Sequence, residues 1–147
     1  MNIKILQIPK EQPEELEIRC HEENEFVREI ITFVKSIQGQ LTGIIENERY
    51  KIPVSDIHYV ESVDNSTFIY SASKVYESRQ KLYEIEVFLK EKYFLRVSKT
   101  MIVNLMKVNS IKPALNGRYC AILKSGEEII ISRKYVPELK RALKGDY

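Results

Sequence analysis

A chain of 147 residues holds one ordinary domain, or one domain with a small appendage. With 44% hydrophobic and 30% charged residues it reads as a folded globular protein, not a disordered one, and no apolar run approaches the roughly 18 residues of a membrane-spanning helix. The net charge of +2 hides an uneven distribution: residues 1–40 carry 5 Lys/Arg against 8 Asp/Glu, while residues 92–147 carry 12 against 4. An acidic head on a basic body favours a polyanionic partner for the body.

Residues 3–8 and 15–20 alternate like two short strands around a loop that contains Pro9 and Pro13. A helix follows: Asn24 is its N-cap, Val27, Ile30, Ile31 and Val34 recur at i, i+3, i+4, i+7, and Gly39 is its stop. This β-β-α unit, residues 1–40, is an appendage too small to bury its own apolar stripe. It carries acidic residues but no Asp, the first being Asp56. The start of the chain lacks the long apolar core of a signal peptide, so a cytoplasmic protein is expected. Cys20 and Cys120 have no metal-type spacing and read as buried free thiols.

Residues 41–147 read as a second unit, nearly all strand. LTGIIE and RYKI flank a turn at Asn47-Glu48; IHYVES and STFIYSA flank one at Val63-Asp64-Asn65; KVYES follows. Residues 81–90 switch to helical periodicity, with Leu82, Ile85, Phe88 and Leu89 on one face beside Tyr83 and Val87. The stretch 91–111 then crosses a basic and hydroxylic patch, with Phe94, Arg96 and Ser98 on one strand face and Leu95, Val97 and Lys99 on the other. Asn116-Gly117 and Ser125-Gly126 bracket a strand, RYCAIL, that pairs with EEIIIS. A last helix has Pro137 in its first turn and Leu139 and Leu143 facing inward.

No phosphate-cradling glycine loop, G-x-S-x-G or H-E-x-x-H run is present, and His21 beside Cys20 lacks a second ligand cluster. No enzyme, metal or cofactor is expected. Instead, Phe94-Leu95-Arg96-Val97-Ser98-Lys99 followed by Ile102-Val103-Asn104 and Ile111 resembles the signature of LytTR-type DNA-binding domains. Ile57-His58-Tyr59-Val60-Glu61-Ser62, Leu115-Asn116-Gly117-Arg118-Tyr119 and Ile131-Ser132-Arg133-Lys134-Tyr135 fit the same family in the same order. The resemblance spans roughly residues 44–145.

It implies a mainly β (α+β) fold, an elongated antiparallel domain with short helices, and a transcriptional regulator that reads double-stranded DNA through loops in successive major grooves. The base-reaching positions carried over are Thr67, Lys99 and Arg133. Phosphate contacts beside them would be Asn65, Ser66, Arg96, Ser98, Lys134 and Tyr135, while Tyr59, Phe94 and Val103 are assigned to the core. At Thr67 relatives can carry a larger polar residue, so packing or a phosphate contact competes with base contact there. Many relatives carry a phosphoacceptor receiver domain, which residues 1–40 cannot supply; receiver-less members resemble a class paired with an integral-membrane inhibitor. A homodimer on DNA is expected, with residues 1–38 mediating self-association or partner docking. The rival reading is an interaction module of the same fold that does not bind DNA and docks a membrane or cytoplasmic partner.

Overall fold

A computed structural model of the protein describes residues 1–143. Helix α1 (Glu25–Ile37) begins where its cap is predicted, with Asn24 Oδ1 accepting the Val27 N–H at 3.0 Å. It ends at Gln38, and Gly39 follows at φ +89°, a conformation that costs glycine little. Val27 and Ser36 are its buried residues, and the helix lies against the 3-10 turn Val54–Asp56. The two strands expected at 3–8 and 15–20 do not form. That segment is irregular, with Ile3, Ile5 and Leu6 exposed. Alternation supplies an apolar face but no partner strand, an isolated hairpin is marginal, and the two prolines remove ladder donors.

The remaining strands are β1 (Gln40–Ile45), β2 (Glu48–Pro53), β3 (Ile57–Val63), β4 (Ser66–Ser71), β5 (Val75–Ser78), β6 (Phe94–Ser98), β7 (Met101–Asn104), β8 (Val108–Pro113), β9 (Tyr119–Leu123) and β10 (Glu128–Ile131). Helix α2 (Leu82–Leu89) joins β5 to β6, and α3 (Val136–Ala142) follows β10. Antiparallel pairing builds a seven-stranded sheet, β2-β1-β5-β4-β3-β7-β6, and a three-stranded one, β10-β9-β8. The mainly antiparallel β architecture with short helices is therefore the one expected. Two hairpins close through Glu46-Asn47 and Asp64-Asn65, all four residues at positive φ. That is the turn whose twist matches its flanking strands. The first turn lies one residue earlier than the predicted Asn47-Glu48.

The larger sheet is buried on both faces. On one face Ile57, Val60, Ile69 and Ile102 share a core with Leu82, Ile85 and Leu89 of α2. Strand β1 meets β5 at Ile44↔Glu77, and Gly43 passes so near Tyr76 that an added Cβ would stand 2.4 Å from the tyrosine Cβ. This close approach brings Leu41 and Ile52 into the same core. On the other face Tyr59, Val97 and Val103 pack with Leu123 and Ile131 of the smaller sheet and with Leu139 of α3. The Tyr59 hydroxyl donates to Glu127 Oε2 at 2.7 Å, tying the β9–β10 turn to β3. Burial and that carboxylate push the Tyr59 phenol above its ordinary 10.0.

Predicted faces survive in part. Phe94 joins the first core, while Leu95 and Val97 join the second, and Tyr59 and Val103 are buried as assigned. On α2, however, Phe88 is half exposed and Tyr83 and Val87 face outward. Cys120 is buried, but Cys20 lies in the irregular N-terminal segment and is exposed, so its expected burial fails. Among the described residues no helix is long and apolar enough to cross a membrane.

Asn104 ties the end of β7 to the start of β3 and to the 3-10 turn that follows. It is 1% exposed, its Nδ2 donates to the Ile57 carbonyl at 2.8 Å, and its Oδ1 accepts the Met106 N–H at 3.0 Å. Asn104→Ala is expected to destabilise the protein by about 2–4 kcal/mol, because one buried and one part-buried backbone group lose their partners. Urea unfolding followed by circular dichroism measures this; an unchanged midpoint would show the bonds to be replaceable.

His58 generates a pH dependence. Burial first, and Lys107 second, hold its imidazole below the ordinary 6.5, against smaller opposing effects of Glu127 and Asp56. The unfolded chain therefore binds that proton more readily. The contribution is fully present above pH ~6.5 and is lost as pH falls from there through the folded value. His58→Phe should show a shallower loss of urea stability between about pH 7.5 and pH 5.5 than the parent protein; parallel pH profiles would refute the assignment.

Candidate nucleic-acid interface

Three turns form a row at one end of the larger sheet. Asp64-Asn65 closes β3–β4 and Lys99-Thr100 closes β6–β7. Strands β3 and β7 are neighbours, and the Ser62 N–H donates to the Thr100 carbonyl at 2.8 Å, so the two tips stand side by side. Beyond β6 the Ser132 N–H donates to the Val97 carbonyl at 2.8 Å and brings the 3-10 turn Arg133–Tyr135 to the same end. At about 4.8 Å per strand the row extends over roughly 17 Å, more than the ~12 Å width of one major groove.

A bulge between Arg96 and Ser98 ends the regular pairing of β6 with β7. Arg96 then closes the turn. Its Nε donates to the Ser98 carbonyl at 2.7 Å, a terminal nitrogen donates to the Lys99 carbonyl, and the other meets Glu86 of α2 at 2.7 Å. Three of the N–H donors of Arg96, one of the phosphate contacts expected from the sequence, are thus engaged within the protein. Lys99 is left exposed at the tip, with Ser98 Oγ accepting the Thr100 N–H behind it.

Thr67, where packing competed with DNA contact in the sequence, is 3% exposed within β4, between Ser62 and Ser78. The strand register places it below the tip that its neighbours Asn65 and Ser66 form. Asn65 is exposed at φ +66°, and Ser66 is half-buried where β4 begins.

Arg133 is exposed, and its aliphatic stem lies across Gly117 so closely that an added Cβ would stand 2.9 Å from its Cγ and Cδ. Gly117, at φ +75°, thereby lets the β8–β9 loop reach the site, and Asn116 and Arg118 line an open groove with Ser132, Arg133 and Lys134. Lys134 is exposed with its Nζ 5.5 Å from the Tyr135 ring, while Tyr135 itself packs partly on the second core. The register Thr67↔Ser78 also carries Arg79 to this end. Arg79 and Arg118 went unrecognised in the sequence because only strand register and the loop's contact with Arg133 place them here; the Asn-Gly-Arg run was read as a turn.

Among the described residues Arg79, Lys99, Arg118, Arg133 and Lys134 are exposed and form no salt bridge with a carboxylate, and Asp64 is the acid in the row. Uncompensated cations on short, braced turns are suited to phosphate oxygens, and an arginine fork to the guanine edge. Among the same residues there is no cluster of side chains fit to hold a metal ion.

Known proteins resemble this chain in sequence and in fold. Residues 47–144 match the model of the LytTr DNA-binding domain. The sensory transduction protein LytT of Bacillus anthracis is 31% identical over 100 residues, covering 68% of this chain and 41% of LytT. The transcriptional regulatory protein YpdB of Escherichia coli K12 is 29% identical over 108 residues, covering 72% and 44%. The chain thus spans less than half the length of these relatives. A Staphylococcus aureus protein described as an HTH-type transcriptional regulator is 26% identical over 145 residues, covering 97% and 98%. A solved LytTr DNA-binding domain from Bacillus cereus superposes with a TM-score of 0.68 at 22% identity, over 72% of this chain and 97% of that one, and so shares its fold. Because the family model spans two thirds of the sequence, this chain belongs to the LytTr DNA-binding domain family.

Proposed function

We propose that the protein is a sequence-specific transcriptional regulator that sets the turns of its larger sheet into successive major grooves of promoter DNA. The observation that carries this reading is the group of exposed cations without a carboxylate partner at one end of a sheet that has a core on each face: Lys99, Arg133 and Lys134 on two of the three turns, with Arg79 and Arg118 beside them. Family membership and the names of relatives such as YpdB support it. In this reading Arg133 takes guanine O6 and N7, Lys99 reaches guanine or phosphate, and Lys134, Asn65, Ser66 and Ser98 meet phosphates, with Arg79 and Arg118 extending the contact. Tyr135 supports Lys134. Arg96 acts through the turn it holds.

The second part of the proposal concerns residues 1–40, which we assign to self-association. Helix α1 keeps Phe26, Phe33 and Ile37 exposed, spaced along one stripe that a second copy would cover. A homodimer would double the set of DNA-reading turns. An integral-membrane inhibitor is the other occupant considered for this stripe.

Competition binding against a selected site and scrambled DNA at several salt concentrations separates the roles. Arg133→Ala should cost about 1–3 kcal/mol on the selected site and relax preference at one base position, and Arg133→Lys should recover only part of it. Lys134→Ala should weaken both DNAs alike and lower the salt slope by about one. Lys99→Ala should show a mixture of the two, Arg96→Ala should follow Lys99→Ala, and Thr67→Ala should alter stability and not affinity. Equal losses on both DNAs for Arg133→Ala would reduce that residue to a phosphate clamp. A salt-independent affinity for all variants would overturn the DNA reading itself.

Self-association is tested by light scattering on the full chain. Phe33→Glu is expected to shift a dimer to monomer while leaving the circular dichroism spectrum unchanged; a parent protein already monomeric at high concentration refutes the assignment.

A further inference from the structure

At the end of the larger sheet remote from the DNA-reading turns lies a cavity of about 290 Å³ that the function above does not use. The two ends are separated by the length of β4, roughly 17 Å for its five steps. Five segments converge on the cavity. Lys51 comes from β2, Asp56 from the 3-10 turn before β3, His58 from β3, Ser71 and Lys74 from the β4–β5 turn, and Lys107 from the 3-10 turn after β7. Three lysines against one aspartate leave two positive charges in excess. Among the described residues none of the three lysines forms a salt bridge, and Lys74 Nζ stands 5.4 Å from the Tyr50 ring centroid. His58 is 7% exposed, and its Nδ1 is buried with no hydrogen-bond partner.

Like charges drawn to one concavity repel, and a buried imidazole nitrogen without a partner is costly. A bound anion relieves the first, and a proton brought to the imidazole becomes less costly beside it. We infer that this cavity is a binding site for a phosphate group, either free inorganic phosphate or the monoester of a small metabolite. Lys51, Lys74 and Lys107 supply the charge, and His58 titrates in response to occupancy. The site is small for more than a phosphate and a short organic substituent, since pockets for drug-sized ligands begin near 300 Å³.

Occupancy would reverse the balance at His58. Lys107 disfavours the imidazolium, while Glu127 and Asp56 favour it; Lys51, Lys74 and Tyr76 line the same cavity. A phosphate dianion among the lysines cancels their repulsion and raises the histidine pKa. The chain has two histidines, and His21 lies in the exposed N-terminal segment, which makes it an internal reference.

The test is proton NMR of the two imidazole C2–H resonances in the full-length protein. Inorganic phosphate and glycerol 3-phosphate are titrated separately at constant ionic strength set with chloride. Both probes should saturate at millimolar concentration and raise the pKa of His58 while leaving His21 unmoved. A tighter fit of the monoester assigns the site to a metabolite, and equal or tighter binding of inorganic phosphate assigns it to the free ion. Lys107→Ala and Lys51→Ala should each weaken binding about tenfold, the equivalent of one charge-assisted hydrogen bond, without changing affinity for DNA. Equal movement of His21 and His58, or no loss in the lysine variants, would show general ionic screening and sink the proposal. Loss of DNA affinity with a lower salt slope in those variants would sink it too, because the lysines would then be meeting the nucleic acid backbone. Neither result depends on whether Arg133 reads a base.

Discussion

The structure depends on the burial of its larger sheet on both faces around β3, β7 and β6. Ile57, His58, Tyr59 and Val60 are buried in succession, Ile57 and Val60 in one core and Tyr59 in the other, and Ile102 and Val103 of β7 divide between the same two cores. A register slip by one residue would exchange the two sets and drive side chains shaped for the α2 side into the space held by β9, β10 and α3. Two cores therefore fix one register more strictly than a single buried face would. The tips inherit that precision, since Asp64-Asn65 and Lys99-Thr100 are only as well placed as the strands that carry them.

Local bonds complete what the cores begin. The β6 bulge frees the Val97 carbonyl to accept Ser132, which docks the third turn onto the sheet edge. Arg96 spends its guanidinium on two carbonyls of the neighbouring turn and on Glu86. The partly exposed ion pair with Glu86 adds little stability by itself. Its value is orientation, because a contact made by a pre-ordered side chain loses less conformational entropy on binding. A basic residue in a signature stretch can thus act on the turn that it holds.

The helices take no such part. Val136 and Leu139 of α3 are buried in the second core, and Leu82, Ile85 and Leu89 of α2 in the first, so both are braces for strands. The exposed backbone and long cationic side chains lie on loops that this scaffold supports. The apolar stripe of α1 and the irregular acidic segment before it lie outside both cores, although Val27 and Ser36 are buried.

What the sequence determined by itself was local and periodic. The α1 cap at Asn24, the positive-φ turn at Asp64-Asn65, the strand patterns of β3 to β10 and the Ser132-Arg133-Lys134 run all follow from neighbouring residues and their spacing. Arg133 and Lys99 were legible as exposed cations beside turns for the same reason. Tertiary structure decided the rest. Whether residues 3–8 form a strand depends on a partner that no local pattern supplies. Thr67 is buried because β5 and β3 flank it, Arg96 is engaged because α2 brings Glu86 near, and Arg79 and Arg118 reach the interface through register and a glycine contact. Side-chain availability is a property of what packs alongside, and residues far apart in sequence provide it.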